Sequence, residues 1–250
     1  MQFNQRVAMI TGSGSGIGEG VAKKLSTLGV KVVINDVNKA KIDRVVAEIK
    51  ANGGEAIGVV ADVTKLEEVE AMFKEIVDKF GKIDILVNNA GIGIDKSIRK
   101  MTVADWDVVL DVNLKGTFLA SKVASELMGG QSYGRIVNIS SRAWLGGPGQ
   151  ANYSASKGGV VSLTRTLALE LGKRGITANC IAPGLINTPL LQAAPEEIKQ
   201  KLLKAQPTGK IGTVNDIANT VAFFASDNAS YITGQTIYVC GGKSLFANII

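Results

Sequence analysis

The sequence predicts an α/β protein of the Rossmann type, with a doubly wound parallel sheet of about seven strands and helices on both faces. Two patterns carry this prediction. Short runs of β-branched and aliphatic residues alternate along the chain with amphipathic segments of helix length. The short runs are apolar on both faces, as in parallel strands that helices cover on either side. No linker, repeat or change of composition divides residues 1–250, so we expect a single domain.

The predicted elements follow one another regularly. Strands are expected at 6–10, 30–35, 56–61, 83–88, 135–140, 177–181 and 235–239, and helices at 16–28, 38–52, 65–80, 102–128, 152–172 and 213–226. The first helix shows the expected apolar stripe, with Ile17, Val21 and Leu25 on one face. A further exposed amphipathic helix is expected at 195–205.

The composition limits the kinds of partner that the protein takes. Hydrophobic residues make up 46% of the chain and charged residues 20%, which is ordinary for a soluble folded protein. The apolar runs are too short to span a membrane and no secretory signal begins the chain, so we expect a cytoplasmic protein without a membrane partner. The net charge of +6 comes from dispersed lysines, so no nucleic-acid partner is expected. Cys180 and Cys240 lack disulfide or metal spacing; both are expected to be buried, and no metal site is predicted.

A glycine-rich turn joins the first predicted strand to the first predicted helix. Gly12, Gly16 and Gly18 have the spacing G-x-x-x-G-x-G rather than the strict G-x-G-x-x-G. Such glycines let the backbone turn tightly and approach a pyrophosphate, whose charge the helix N-terminus stabilises. The position of the turn between a strand and a helix favours a nucleotide site over a plain loop.

Three more strand ends lead to the same edge of the predicted sheet. Asp36 ends the second strand, where an acid binds both hydroxyls of an adenosine ribose and repels a 2′-phosphate; the alternative is a turn-forming aspartate. Asp62 and Val63 follow the third strand and are expected beside the adenine, and Asn-Asn-Ala-Gly at 88–91 ends the fourth. Open α/β sheets bind ligands in the crevice at these carboxyl ends, so the convergence predicts a dinucleotide site.

Tyr153 and Lys157 form the most informative pair in the chain, which contains no histidine. Residues four apart share one face of a helix, so the ammonium of Lys157 is expected to favour the ionised phenol of Tyr153 and to lower its pKa. This makes Tyr153 a candidate general acid/base. The absence of histidine excludes a Ser-His-Asp hydrolase, a histidine-ligated zinc site and a dehydrogenase with a histidine base.

Four motifs occur together in a fixed order. They are T-G-x-x-x-G-x-G at 11–18, N-N-A-G at 88–91, a serine thirteen residues before Y-x-x-x-K at 153–157, and P-G-x-x-x-T at 183–188. In order and spacing they resemble the motifs of the short-chain dehydrogenase/reductase family, and the resemblance covers essentially the whole chain. It implies an oxidoreductase that uses a nicotinamide cofactor.

The resemblance also implies roles for individual residues. Tyr153 is the acid/base, Ser140 binds the reacting oxygen, Lys157 binds the nicotinamide ribose, and Asn113 holds a water that extends the proton relay. Ser140 is preferred to Ser141 because of its spacing to Tyr153. The expected cofactor contacts are Gly12, Ser15, Gly16, Ile17, Gly18, Asp36, Asp62, Val63, Asn89, Ala90, Gly91, Tyr153, Lys157, Pro183, Gly184, Ile186 and Thr188.

The cofactor is expected to be NAD rather than NADP because of Asp36. Family members that reduce 3-oxoacyl thioesters with NADPH usually carry an arginine where this chain has Ser15, and often a basic residue where it has Val37. Lys39 lies close enough in sequence to leave an opening for NADPH.

The leading hypothesis is an NAD-dependent oxidoreductase acting on a secondary alcohol or ketone. The alternatives are a 3-oxoacyl reductase or 3-hydroxyacyl-CoA dehydrogenase, an epimerase or dehydratase, and a catalytically dead nucleotide-sensing or nucleic-acid-binding protein. The expected substrate contacts are Ser140, Arg142, Trp144, Leu145, Tyr153 and Leu190, with a substrate loop at 187–210. Lysines 199, 201, 204 and 210 either bind a phosphate-bearing carrier such as coenzyme A or form a solvated helix face.

A homotetramer is expected from the family resemblance and from the apolar C-terminal tail. Leu245, Phe246, Ile249 and Ile250 make this tail apolar. Such side chains need a burial site, and a neighbouring subunit is the expected one.

Overall fold

A computed structural model describes residues 3, 5–192 and 196–246. Seven parallel strands form one sheet in the order β3-β2-β1-β4-β5-β6-β7, which confirms the predicted doubly wound fold. The strands are β1 (Val7–Ile10), β2 (Lys31–Asp36), β3 (Ala56–Val60), β4 (Ile85–Asn88), β5 (Gly134–Ile139), β6 (Ile176–Pro183) and β7 (Thr236–Val239). The strand order reverses between β1 and β4, which places the ligand crevice at their carboxyl ends.

The helices cover both faces of the sheet. They are α1 (Gly16–Thr27), α2 (Lys39–Ala51), α3 (Leu66–Phe80), α4 (Val103–Leu110), α5 (Gly116–Gly130), α6 (Ala151–Leu171), α7 (Pro189–Gln192), α8 (Glu196–Lys204) and α9 (Val214–Ala225). One apolar core lies between the sheet and α1, α2 and α9, and a second between the sheet and α3, α5 and α6. Both faces of the strands are therefore buried, as their apolar sequences predict.

The helix predicted at 102–128 begins one residue later and contains an irregular turn. A π-helical turn, Asp111–Lys115, lies between α4 and α5. Single π-helical turns of this kind often occur at functional sites, because the wider turn moves a side chain out of the regular helical register. Asn113 is in this turn and is fully buried.

Among the described residues, no helix is long and apolar enough to cross a membrane. Cys180 and Cys240 are both buried, as expected. Leu245 of the apolar tail is 79% exposed, whereas the side chain of Phe246 and residues 249 and 250 lie outside the described part of the chain.

Candidate active site

In the glycine turn after β1, side chains at two of the glycine positions would collide with the neighbouring backbone. Gly12 has φ +60°, and a Cβ there would lie 2.8 Å from Ala90 Cα. A Cβ on Gly18 would lie 2.6 Å from Gly12 O, so Gly18 lets α1 pack directly against the turn. Gly16 also has φ +60°, but nothing lies within 4 Å of its Cβ position. This open space at the N-terminus of α1 fits a pyrophosphate that approaches the backbone.

Asn89 holds the glycine turn from the neighbouring strand. Its Nδ2 donates to Thr11 O at 3.0 Å and to Gly12 O at 2.9 Å. In return, Thr11 Oγ1 accepts hydrogen bonds from the backbone N–H groups of Asn89 and Ala90, each at 3.0 Å. The side chain of Asn89, predicted to contact the cofactor, is thus used to fix the turn, and Ser15 and Ile17 follow at the start of α1.

Asp36 lies at the end of β2, directly against the glycine turn. A Cβ on Gly14 would lie 2.7 Å from Asp36 Oδ2 and 2.8 Å from Lys41 Cβ. Lys39, whose position in the sequence left an opening for NADPH, forms an exposed ion pair with Asp43 at 2.6 Å. The lysine that lies near Asp36 at the glycine turn is therefore Lys41, two residues further along α2.

Asp62 and Val63 follow β3, and their side chains have different surroundings. Asp62 Oδ1 accepts hydrogen bonds from Thr64 N at 2.9 Å and Thr64 Oγ1 at 2.8 Å. Val63 is buried, and a Cβ on Gly116 would lie 2.7 Å from its Cγ2. Val63 therefore packs in the protein interior, whereas the partly exposed Asp62 remains a predicted neighbour of the adenine.

Lys157 and Asn113 meet at Gly91. A Cβ on Gly91 would lie 3.1 Å from Lys157 Nζ and 3.2 Å from Asn113 Oδ1. Lys157 is 4% exposed and donates to Ile139 O at 2.9 Å, and burial lowers its pKa to about 8. Asn113 Oδ1 accepts from Ile92 N at 2.8 Å, and its Nδ2 donates to Ile92 O at 3.0 Å. The buried amide of Asn113 thus fixes the segment that carries Gly91 beside the lysine.

Tyr153 is on α6 with Lys157, and the Lys157 Nζ atom lies 5.8 Å from the centre of the Tyr153 ring. Burial raises the pKa of Tyr153; a hydrogen bond with Ser141 opposes this rise, and the carboxylate of Asp95 adds to it. The sequence predicted a lowered pKa. The structure gives the opposite direction, because removing the phenolate from water outweighs the attraction of a lysine at this distance.

The two adjacent serines differ from the expectation for Ser140. The side chain of Ser140 is buried beneath α6, and its Oγ donates to Lys157 O at 2.8 Å. Ser141 is half-buried, and its hydroxyl lies close enough to Tyr153 to oppose the rise in the tyrosine pKa. Alternation along β5 explains the difference: Asn138 faces α6, where it donates to Thr164 Oγ1, and Ser140, two residues on, faces the same way. Ser141 is therefore the serine that the structure places beside Tyr153.

The predicted substrate residues do not all reach the cleft. Arg142 and Leu145 belong to a 3-10 turn, Arg142–Leu145, that follows Ser141. Trp144 instead packs against Val160, Val161 and Cys180 and stacks on Tyr238, with ring centres 6.4 Å apart. It supports the wall of the cleft from behind. Leu190 is in α7, but its side chain lies outside the described part of the structure.

The segment after β6 closes the far side of the cleft. Pro183 is its last strand residue, and Gly184 N donates to Val239 O at 2.9 Å. A Cβ on Gly184 would lie 2.7 Å from Cys240 Cα, so only glycine fits here. Ile186 is buried and bridges to Gly212, while Thr188 O accepts from Gln192 N at the start of α7.

Asp95, which the sequence interpretation missed, also lies near Tyr153. Asp95 Oδ1 lies 3.9 Å and the Tyr153 ring 3.7 Å from the Cβ position of Gly93. Gln150 Nε2 donates to Asp95 Oδ2 at 3.1 Å, and Lys96 N donates to Gly149 O at 2.8 Å. These bonds join the loop after β4 to the loop before α6. No local motif marks Asp95, because its partner is fifty-five residues away in sequence.

Comparison with known proteins agrees with this geometry. A family model described as enoyl-(acyl carrier protein) reductase matches residues 12–244. The chain is 52% identical to the (2S)-[(R)-hydroxy(phenyl)methyl]succinyl-CoA dehydrogenase subunit BbsD of Thauera aromatica, over 99% of this chain and 100% of the relative. It is 47% identical to the 3-oxoacyl-[acyl-carrier-protein] reductase FabG of Staphylococcus aureus, over 94% and 96%.

A solved structure shows the same fold. Levodione reductase superimposes with a TM-score of 0.93 at 36% identity, covering 98% of this chain and 99% of that one. The curated relatives and this structure act as dehydrogenases or reductases. The chain therefore belongs to the short-chain dehydrogenase/reductase family and is a nicotinamide-dependent oxidoreductase that transfers a hydride between its cofactor and an alcohol or ketone.

Proposed function

We propose that the protein is an NAD-dependent dehydrogenase that oxidises a secondary alcohol within an acyl-CoA thioester. The observation that carries the proposal is the arrangement of Ser141, Tyr153 and Lys157 around the segment of Gly91, at the sheet edge where Asp36 also lies. A proton-transfer group, a hydrogen-bonding partner and a buried cation are thereby assembled beside a nucleotide cleft.

Four residues of this chain contribute to the proposed proton transfer. Ser141 and Tyr153 hold the substrate oxygen between their hydroxyl groups, and Tyr153 Oη takes its proton during oxidation or returns it during reduction. Lys157 supplies positive charge near the phenol, and Asn113 keeps the neighbouring backbone in place. The bound nicotinamide supplies hydride transfer, while the protein supplies position and the path for the proton.

The preference for NAD rests on the surroundings of Asp36. Its carboxylate lies against Gly14, so a 2′-phosphate at this position meets a like charge in a confined space. Lys39 is the residue whose charge could have allowed the enzyme to use NADPH, and it forms an ion pair with Asp43 instead.

The thioester class is supported by the relatives and by the substrate loop. The printed names of both curated relatives describe acyl groups on a carrier, coenzyme A in one and acyl carrier protein in the other. A cavity of about 260 Å³ opens beside α7 and α8, where Asn187, Lys199 and Thr213 contribute to its lining. Lys204 and Lys210 are exposed nearby in sequence, which suits the phosphates of a carrier.

The test combines a substrate panel with a tyrosine variant. NAD+ reduction is measured with hydroxyacyl-CoA thioesters, including aryl-substituted ones, and with the matching free acids and simple alcohols. We expect turnover of thioesters and a KM that rises steeply with salt concentration. Tyr153→Phe should lose at least about a hundredfold in rate and still bind NADH. Tyr231→Phe, at a fully exposed tyrosine, is the matched control and should keep wild-type activity.

Either of two results would contradict the proposal. Equal rates with simple alcohols and a salt-independent KM would reject the thioester class. More than a few per cent of activity in Tyr153→Phe would reject the proton-transfer role.

We also propose a homotetramer, because α4, α5 and α6 each expose a large apolar side chain. Val103 of α4, Phe118 of α5 and Leu169 of α6 are 76%, 47% and 85% exposed. Exposed apolar side chains of this size favour burial against a partner, and symmetric copies provide one. Light scattering at micromolar concentration should give four times the chain mass of 26.2 kDa; a monomer mass would refute this assembly.

A further inference from the structure

A charged network joins α1 to α2 beside the glycine turn. Arg44 binds Glu19 with two parallel contacts, Nη1 to Oε1 at 2.9 Å and Nη2 to Oε2 at 2.6 Å. Arg44 Nη1 also donates to Glu48 Oε1 at 2.8 Å. Lys23 bridges the same two carboxylates, at 2.5 Å to Glu19 and 2.6 Å to Glu48. Two cations thus share two acids.

Only one of these two cations reaches the turn. Arg44 Nη2 donates to Gly14 O at 3.1 Å, whereas the described contacts of Lys23 stop at the carboxylates. Asn89 holds the carbonyl groups of Thr11 and Gly12 on the other side. Asn89 therefore holds the beginning of the glycine turn, and Arg44 holds its middle.

Gly14 connects the Arg44 hydrogen bond to the part of the site where the adenosine ribose is expected. Its Cβ position lies 2.7 Å from Asp36 Oδ2, so a small movement of Gly14 changes the gap between the turn and Asp36. The carbonyl of Gly14 is fixed by a guanidinium whose planar fork is itself fixed by Glu19, a side chain only 17% exposed. A bidentate pair of this kind restrains orientation better than a single lysine contact does.

We propose that Arg44 is a positioning residue for the adenosine half of the cofactor, acting through the Gly14 carbonyl rather than by touching the ligand. The proposal rests on the proposed use of NAD. Arg44 and Lys23 each contribute one cation to the same network, so losing either should cost a comparable amount of stability, and the difference between the two losses is expected in ligand affinity.

Lys23 provides the matched control. Arg44→Met and Lys23→Met each remove one cation from the same pair of acids, and only Arg44→Met removes the bond to the turn. Dissociation constants are measured by NADH fluorescence titration and by competition with ADP-ribose, alongside thermal unfolding and kcat at saturating NAD+. We expect Arg44→Met to weaken NADH and ADP-ribose binding by about tenfold alike, since a charge-assisted hydrogen bond is lost.

The other readouts separate positioning from a purely structural role. Lys23→Met should bind both ligands within about twofold of wild type, both variants should unfold at similar temperatures, and kcat of Arg44→Met should be retained. Equal weakening in both variants, or unchanged binding in Arg44→Met, would overturn the proposal. A wild type that binds NADPH and not NADH would instead contradict the NAD preference, and the same comparison is then made with NADPH.

Discussion

Alanine at Ser141 and alanine at Ser140 should have different consequences, although the residues are adjacent. The hydroxyl of Ser141 lies beside Tyr153 and acts on its pKa, whereas Ser140 Oγ donates to Lys157 O at 2.8 Å within the buried layer under α6. Ser141→Ala removes a hydroxyl group beside the reacting oxygen. Ser140→Ala removes a buried hydrogen bond that contributes to folding.

The two magnitudes follow from these surroundings. A hydrogen bond to an oxygen that carries developing negative charge contributes about 2 kcal/mol, so Ser141→Ala should lower kcat/KM by about thirtyfold. The bond of Ser140 joins neutral groups and contributes about 1 kcal/mol to folding. In a chain of this size, that loss lowers the Tm by roughly 2 to 4 °C.

Steady-state kinetics and thermal unfolding of the two variants check this separation. We expect Ser141→Ala to keep the wild-type Tm and lose activity, and Ser140→Ala to lose stability and keep most activity. The reverse result, an inactive but fully stable Ser140→Ala beside an active Ser141→Ala, would refute the assignment made from β5 alternation.

Two further variants test the ends of the cofactor site. Asp36→Ala should change the NAD/NADP ratio of kcat/KM by at least about tenfold toward NADP, some 1.4 kcal/mol, because the like charge is removed and Lys41 remains beside the site; unchanged ratios would contradict the role of Asp36. Lys157→Met should reduce the pH dependence of stability at alkaline pH. Burial lowers the folded-state pKa of Lys157 from 10.5 to about 8, so the unfolded chain binds more protons between these values and wild-type stability rises with pH there. Urea unfolding at pH 7 to 10.5 should show this rise in wild type and a smaller one in the variant.

The fold was predictable because its signals are local and repeated. Strands such as β1, Val-Ala-Met-Ile, are apolar on both faces, and stripes such as that of Val21 and Leu25 indicate the helices. Boundaries shifted by one or two residues, since helix and strand ends depend on caps and neighbours. The π-helical turn at Asn113 left no comparable signal, because it depends on the bonds of Asn113 to Ile92, twenty-one residues away.

The site was predictable in composition but not in orientation. Tyr153, Lys157 and Gly91 meet where the motifs indicated. The structure favours Ser141 over Ser140, and the spacing could not show this because spacing along a loop does not record which way a side chain faces. The polar residue Asn138 two positions earlier was the available signal, because residues two apart on a strand share a face.

The surroundings of Tyr153 also predict an asymmetry between the two directions of the reaction. Burial and the Asp95 carboxylate raise the pKa of Tyr153, and Lys157, with a pKa of about 8, carries its charge at neutral pH. Two other titratable groups lie near this pair. Arg142 follows Ser141 in the adjoining turn. Cys180 lies beside Lys157 and stays a neutral thiol, because burial raises its pKa to about 11. Tyr153 is therefore protonated at rest, ready to donate a proton in reduction, whereas oxidation needs the phenolate. The oxidative rate should rise with pH, and Asp95→Asn should move that profile to lower pH, because a negative charge beside the phenol is gone. A profile that stays in place in Asp95→Asn, with NADH affinity unchanged, would show that Asp95 does not act on the tyrosine.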